Sequence, residues 1–177
     1  MEEASKVSRY LYTLIILFLI WLALTASLDE QELIFGFILS TIVAAVTYPV
    51  FTTKGLANLH PKRVVYAIAY IPYFLWAMIM ANVDVAYRVL HPKRPIRPGI
   101  VHCKTVLRTN PGKLSLANSI TLTPGTITLD VDGDDYFIHW IWVKDEVLSA
   151  ESEEEHVERA SENITRPFEK FLKVIFG

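Results

Sequence analysis

The sequence predicts a membrane protein in two parts: three transmembrane helices, followed by a small α+β domain with about three strands and two or three helices. Hydrophobic residues make up 52% of the 177 residues, and nearly all the long apolar runs lie in residues 1–98. The charge balance changes at the same place: residues 1–98 hold nine Lys or Arg against six Asp or Glu, whereas residues 99–177 hold eight against thirteen. We therefore divide the chain into a transmembrane anchor (1–98) and an acidic domain (99–177).

Three apolar stretches of the anchor are long enough to cross a bilayer, which takes about 20 helical residues. They are Tyr10–Leu28, Leu33–Phe51 and Val64–Val85. Only Asp29–Glu32 separates the first two, so we expect a tight antiparallel hairpin. The third stretch leads into His91–Pro98, a basic linker whose prolines disfavour a continuing helix. Its positive charges favour contact with lipid headgroups, and a binding site for a soluble anion is the alternative.

The orientation of these helices cannot be derived from charge. Lys and Arg favour the cytoplasmic side of a membrane, but three crossings would put five of them on one side and four on the other. The five are Lys6, Arg9, Lys54, Lys62 and Arg63, and the four are Arg88, Lys93, Arg94 and Arg97. This small difference leaves both orientations open.

Charged side chains inside a membrane are costly and are retained chiefly for function. The first two apolar stretches contain none, and Asp84, near the end of the third, is the one candidate for an ion pathway. The alternative is an interfacial ion pair between Asp84 and Arg88, which is four residues further along the same helix face. We favour the ion pair, so the sequence predicts an anchor rather than a conducting element.

Small residues recur at four-residue spacing on two of the predicted helices. Gly36, Ser40 and Ala44 share one face of the second helix, and Ala77 and Ala81 share one face of the third. In lipid, such residues let helix backbones approach closely. The pattern therefore predicts helix packing, either with partner proteins or within the chain itself.

The acidic domain begins with alternating apolar residues at 100–107, which predict a strand. Asn110-Pro111-Gly112 predicts a turn, and Leu114–Leu122 a short helix. A second strand is expected at Thr126–Val131, a hairpin turn at Asp132–Asp135, and a third strand at Tyr136–Val143. Because the third strand is almost continuously apolar, we expect it to be buried on both faces.

The C-terminal segment, Ser149–Phe176, is predicted to be helical. Ser152 and Glu155 have the spacing of a capping box, and apolar residues then recur every three or four positions. Pro167 lacks a backbone N–H, so we expect two helical segments with a break at Thr165–Pro167.

Several function classes are excluded by composition and spacing. A net charge of −2 does not provide the basic surface that nucleic-acid binding usually requires. The single cysteine, Cys103, cannot form an intrachain disulfide or a cysteine-rich metal site. The acidic residues at 130–135 do not match a calcium-binding loop, and no pair of histidines has the spacing of a helical zinc site. We therefore predict no catalytic residue, no metal site and no cofactor.

The most specific motif is LANSITLTPGT, residues 116–126. Its hydroxyl and amide side chains can bind local backbone groups, and Pro124-Gly125 suits a type II turn. We therefore predict a structural corner that serves folding and docking. Its members are Leu116, Ala117, Asn118, Ser119, Thr121, Thr123, Pro124, Gly125 and Thr126.

Taken together, five features of the chain resemble those of a known family. They are this motif, the strand at Ile127–Val131, the His139 strand, the entry at 98–101 and the N-terminal apolar hairpin. It is similar to the E subunit of Mrp-type multisubunit Na⁺/H⁺ antiporters and to the matching subunit of archaeal membrane-bound hydrogenases and related respiratory complexes. The resemblance covers the chain up to about Val143, and the acidic C-terminal helix is long for the family.

The resemblance implies a non-catalytic, multi-pass subunit of the cell membrane with a cytoplasmic C-terminal domain. Its partners would be small hydrophobic subunits and larger antiporter-like subunits that conduct Na⁺ and H⁺. Our main hypothesis is an accessory subunit that contributes to assembly of an Mrp-type antiporter module. The alternatives are the same subunit within a redox-driven complex, whose catalytic metals lie in other chains, and a standalone membrane-tethered binding domain.

Overall fold

The chain folds into two compact units, Met1–Pro61 and Lys62–Gly177. The structure, a computed structural model, describes residues 4–52, 55–93 and 95–177. Lys54 and Arg94, which entered the count of positive charges, lie outside the described residues.

The first unit is a hairpin of two long apolar helices, α1 (Lys6–Thr25) and α2 (Glu30–Phe51), followed by a 3₁₀ helix at Gly55–Leu59. The Ser5 hydroxyl begins α1 by accepting a bond from the backbone N–H of Ser8 at 3.2 Å. Only the segment 26–29 connects the two helices, which pack against each other along their length. The predicted hairpin is confirmed.

The second unit begins with a third long apolar helix and continues into a small α+β domain. Its helices and strands are α3 (Pro61–Leu90), β1 (Gly99–Lys104), α4 (Asn110–Leu122), β2 (Thr126–Asp132), β3 (Asp135–Trp140), α5 (Asp145–Leu148), α6 (Glu153–Ile164) and α7 (Arg166–Phe176). The strands form an antiparallel sheet in the order β1-β3-β2. Side chains of the sheet, α4, α6 and α7 share one core, against which aromatic residues of α3 pack.

The predicted fold class is confirmed. The described residues contain three helices long and apolar enough to cross a membrane, and the C-terminal region holds a three-stranded antiparallel sheet with several helices. The hairpin turn also lies where it was expected, since β2 ends at Asp132 and β3 begins at Asp135. Gly133, in this turn, has a φ of +58°, a backbone conformation that glycine adopts without strain.

The turn predicted at Asn110-Pro111-Gly112 is wrong, because these residues form the first turn of α4. Thr109 caps the helix by accepting a bond from the Gly112 N–H at 3.3 Å. Proline suits the first helical turn, where its missing N–H would have had no intrahelical partner. Residues that are typical of a turn therefore begin a helix here.

The expectations for β1 and β3 also need correction. β3 ends at Trp140 and is not buried on both faces: Tyr136 and Ile138 are buried, whereas the Phe137 between them is 37% exposed. The helices of the domain cover one face of the sheet, and the other remains open. β1 ends at Lys104, which lies opposite Asp135, the first residue of β3. The next N–H, that of Thr105, donates to the carbonyl of Asp134 in the hairpin turn at 2.9 Å.

The C-terminal helices follow the prediction closely. Ser152 accepts a bond from the Glu155 N–H at 3.2 Å, as a capping box requires, although the Glu155 carboxylate bonds the N–H of Glu151 instead of that of Ser152. α6 ends at Ile164 and α7 begins at Arg166, so the predicted break is confirmed.

A buried carboxylate holds α7 to the segment that follows β1. Glu169 is 3% exposed and accepts bonds from the Thr105 hydroxyl at 2.6 Å and from the Val106 N–H at 3.1 Å. The Arg166 guanidinium donates to its second oxygen at 2.9 Å. Because a buried charge is costly unless it is paired and hydrogen-bonded, this arrangement fixes the direction in which α7 leaves the sheet.

Cys103 of β1 provides a test of the core. It is fully buried, and burial raises the pKa of its thiol from 9.0 to about 12. Only the thiolate is an effective nucleophile, so iodoacetamide at pH 8.5 should alkylate the native protein at least about a hundredfold more slowly than the protein unfolded in urea. Alkylation is followed by mass spectrometry.

The raised pKa of the Cys103 thiol also makes the stability of the fold depend on pH. Above pH 9 the unfolded chain releases the Cys103 proton while the folded chain retains it, so the free energy of unfolding should fall as the pH rises from 9 toward 12. Cys103→Ala is the matched control, in which this contribution is lost.

In the alkylation experiment, equal rates for native and unfolded protein would show that β1 is not packed as described.

Candidate functional site

The predicted corner, residues 116–126, runs from the middle of α4 through a tight turn into β2. At the turn, the Thr126 N–H donates to the Thr123 carbonyl at 3.3 Å, and Gly125 has a φ of +93°. These are the features of a type II turn with Pro124 and Gly125 at its centre. The predicted turn is confirmed.

Hydroxyl groups hold this corner by binding backbone atoms. The Thr126 hydroxyl donates to the carbonyls of Ile120 at 2.7 Å and Thr123 at 2.9 Å. The Thr123 hydroxyl donates to the Ser119 carbonyl at 2.7 Å, and the Thr121 hydroxyl accepts from the N–H of Thr128 at 3.2 Å. The last turn of α4 is thereby tied to the first residues of β2.

Two members of the motif differ from the rest. Leu116 is fully buried in the core and serves packing. No hydrogen bond between described residues involves the side chain of Asn118, so the local backbone bond considered for it is not formed.

Ser119 connects the corner to α3. Its hydroxyl donates to the Ser115 carbonyl at 2.6 Å, and the Tyr70 hydroxyl lies within hydrogen-bond distance of its oxygen. Because the Ser119 proton is already used, Tyr70 is the donor. Ser119 is 5% exposed, so this bond lies inside the unit and requires α3 and α4 to stay together.

A cleft of about 260 Å³ lies where α3 passes the corner. Ala77, Ala81 and Asp84 line it from α3, and Thr123–Thr126 lines it from the turn. The small side chains of the two alanines leave the space open. The structure thus brings three candidate residues of the third helix together with the end of the predicted motif.

Asp84 forms the ion pair predicted from its spacing. The Arg88 guanidinium donates to both carboxylate oxygens, at 2.7 and 2.9 Å. The Asp84 side chain is half exposed, whereas that of Arg88 is 13% exposed and also donates to the Pro95 carbonyl at 2.9 Å. A cation bound at Asp84 would have to compete with this fixed guanidinium.

Trp142 is an organising residue that the sequence analysis missed. The guanidinium carbons of Arg88 and Arg97 each lie 4.7 Å from the centre of its rings, within the range of a cation–π interaction. The backbone of Arg97 also pairs with that of Ile141 and Val143 at 3.1 and 3.0 Å. The linker is therefore fixed to the sheet domain.

The stripe of small residues on α2 lies in the first unit. Gly36, Ser40 and Ala44 are buried there. A Cβ at Gly36 would lie only 2.2 to 2.7 Å from atoms of the Trp21 indole of α1. At least at Gly36, the small residue serves packing within the chain.

Two carboxylates of the acidic turn between β2 and β3 are bound by basic side chains. Lys113 lies 2.7 Å from an Asp134 oxygen and lowers the pKa of that carboxyl. His102 lies 2.6 Å from an Asp135 oxygen. Across residues 4–52, 55–93 and 95–177, no three His, Cys, Asp or Glu side chains are grouped so that they could hold a metal ion.

These features define a small membrane protein in which an α+β domain is packed on an apolar helix around a hydroxyl-rich corner. The model of the family described as "Na+/H+ ion antiporter subunit" matches residues 14–164. The chain belongs to this family, and the resemblance inferred from the motif is confirmed.

Curated relatives support the assignment. The chain is 30% identical over 125 residues to the Na⁺/H⁺ antiporter E subunit of Alkalihalophilus pseudofirmus, an alignment that covers 71% of this chain and 77% of the relative. It is also 30% identical over 153 residues to the Na⁺/H⁺ antiporter E1 subunit of Staphylococcus haemolyticus, covering 85% and 91%.

A solved structure is more similar still. The chain is 74% identical to a chain in the structure of "the membrane-bound sulfane sulfur reductase (MBS), an archaeal respiratory membrane complex". The alignment covers 96% of this chain and 99% of that chain, with a TM-score of 0.80.

Gly125→Ala tests the corner. The positive φ strains any residue with a Cβ, and the added carbon would lie 3.0 Å from Ile141 Cγ2. We expect the free energy of unfolding to fall by about 2–3 kcal/mol. Gly133→Ala is the matched control, because φ is positive there too but no atom lies within 4 Å, and it should cost about 1 kcal/mol.

Thermal unfolding in detergent, followed by tryptophan fluorescence, compares the two variants. Equal losses at both positions would show that contact with Ile141 does not constrain the corner.

Proposed function

We propose that this chain is a non-catalytic accessory subunit that contributes to assembly of a multisubunit, cation- and proton-translocating membrane complex. The observation that carries the proposal is the 74% identity, over nearly the whole chain, to a chain of a respiratory membrane complex. Because that complex is a sulfane sulfur reductase, it favours the redox-driven setting over a plain antiporter. The metals and the redox chemistry would then lie in other chains.

The distribution of charge supports an accessory role. Between Tyr10 and Leu28, and between Leu33 and Phe51, there is no Asp, Glu, Lys or Arg. An ion pathway through lipid needs such groups. The one carboxylate of α3, Asp84, is held by Arg88. Ion conduction is therefore assigned to partner subunits, both small hydrophobic ones and larger antiporter-like ones.

The corner and the cleft beside it suit a docking role. The corner is rigid because its hydroxyls bind its own backbone. Both apolar and polar side chains line the cleft, among them Ala77, Ala81 and Asp84, and protein interfaces contain both kinds of surface. We place the C-terminal domain in the cytoplasm, in agreement with the family resemblance, and the apolar helices in the cell membrane.

Purification of the complex tests the proposal. An affinity-tagged chain, extracted in mild detergent from its own membranes, should carry with it larger membrane subunits, metal-containing chains and sulfane sulfur reductase activity. Deletion of its gene should lower the yield of the assembled complex, while the chain alone in vesicles should give no Na⁺/H⁺ exchange.

Each alternative function predicts a different result in this purification experiment. Antiporter subunits without redox metals would favour the plain Mrp-type module, as the names of the curated relatives suggest. A monomer, or exchange by the chain alone, would contradict the accessory role.

Asp84→Asn tests the ion-pathway alternative. The substitution removes the charge paired with Arg88 but preserves shape, so we expect Na⁺/H⁺ exchange by the reconstituted complex to change less than about twofold, in line with the small energy of an exposed ion pair. Asp145→Asn is the matched control, since it also removes an exposed carboxylate paired with an arginine. Near-complete loss of exchange in Asp84→Asn alone would establish a role in ion transfer.

A further inference from the structure

One face of α3 makes side-chain contacts with the sheet domain along almost the whole helix, although none of the helix's residues is fully buried. The first contact is the Arg63 guanidinium, which donates to the Gly177 carbonyl. In the middle, the Tyr73 and Phe171 rings stack with centroids 4.7 Å apart. The positions that face the domain, either in contact with it or across the cleft, recur mostly every three or four residues: Arg63, Tyr66, Tyr70, Tyr73, Phe74, Ala77, Ala81, Asp84 and Arg88.

The opposite face of α3 is apolar and exposed. Between Val64 and Val83 the helix has no Asp, Glu, Lys or Arg. The exposed side chains also recur at helical spacing: Val65, Ile68, Ile71, Leu75, Trp76, Ile79, Met80, Val83, Tyr87 and Leu90. α3 therefore has two faces of different character, one bound to a polar domain and one open and apolar.

These two faces are incompatible with a crossing of the bilayer while the domain is packed on the helix. From Arg63 to Arg88, the covered face is about 38 Å long at 1.5 Å per residue, and the hydrocarbon core is only about 30 Å thick. A crossing would therefore carry the attached domain, with its charged surface, into the hydrocarbon. Such burial of charge is prohibitively costly.

We propose that α3 lies along the membrane surface, with its exposed apolar face in the interfacial layer of the bilayer and the sheet domain above it. A surface helix binds by its apolar face while its other face stays out of the hydrocarbon, and in α3 that other face contacts the sheet domain. By length and composition alone α3 could cross the membrane, and the attached domain is the observation that argues against a crossing.

The distribution of positive charge supports the surface position independently. With α1 and α2 as the two crossings, every Lys and Arg of residues 1–98 lies on one side of the membrane, which makes nine. The connection between α1 and α2 and the first turn of α2 have none, and they carry Asp29, Glu30 and Glu32. Nine against none is a strong bias, and it places α3 and the domain on the cytoplasmic side.

The occupant of the apolar face is lipid rather than another protein. α3 follows directly on a membrane-inserted hairpin in the sequence, so the bilayer surface is already close. Trp76 and Tyr87, two of its exposed residues, are of the types enriched at membrane interfaces. Lys93, three residues after the helix ends, is exposed, and there it would meet anionic headgroups.

Cysteine labelling tests the number of crossings. The single substitutions Lys6→Cys, Glu30→Cys and Glu154→Cys are made at exposed positions of the full chain in its native membranes. A membrane-impermeant maleimide should label positions 6 and 154 only in inverted vesicles, and position 30 only in intact cells. The unsubstituted chain, whose Cys103 is buried, is the control for background labelling. Labelling of positions 6 and 154 from opposite sides would overturn the proposal.

Spin-label depth measurements test how α3 lies. Ile68, Ile79 and Leu90 are eleven residues apart, which is close to three helical turns, and all are exposed. Nitroxides at Ile68→Cys, Ile79→Cys and Leu90→Cys, in the complex reconstituted into phosphatidylcholine and phosphatidylglycerol vesicles, should report the same shallow depth from oxygen and nickel accessibility. In a crossing helix, neighbouring labels would differ in height by about 16 Å.

Two controls define the depth scale. Ile42→Cys, exposed near the middle of α2, should report the bilayer centre, and Glu154→Cys should report water. Depths that change stepwise along α3 would overturn the proposal. Labels that are immobile and shielded from both reagents would also overturn it, because they would show that another protein covers the face. Neither experiment depends on which complex contains the chain, so both can fail while the accessory role stands.

Discussion

The packing of aromatic side chains between α3 and α7 is the interaction that holds the apolar helix to the core of the second unit. Phe171 contacts Tyr66, Tyr70 and Tyr73 of α3 with ring centroids 4.7 to 6.2 Å apart, and such pairs add stabilisation beyond the area that they bury. This contact sets the position of α3 on the domain. The Tyr70–Ser119 bond and the cleft beside Asp84 form only because the helix is held there.

The corner at residues 116–126 is rigid for a different reason. Its stability comes from hydroxyl groups that satisfy carbonyls at the end of α4, where an α-helix leaves its last carbonyls without partners. Thr123 and Thr126 perform this role side by side. A specific sequence motif thus results from local backbone geometry, without any reactive group.

Local features of the fold could be predicted from the sequence, and features that join distant segments could not. The turn at Pro124-Gly125 and the break at Pro167 were predictable because single residues limit the backbone there. The exposure of Phe137 was not, because an apolar run does not show which face of a sheet is covered. The stacking of Arg88 and Arg97 on Trp142 joins segments about 50 residues apart in the sequence, and no spacing rule indicates it.

The bond between Arg63 and the carbonyl of Gly177 joins the two ends of the second unit across 114 residues. The bond ties the first turn of α3 to the residue that follows α7, so the helix that begins this unit and the helix that ends it are held at the same place.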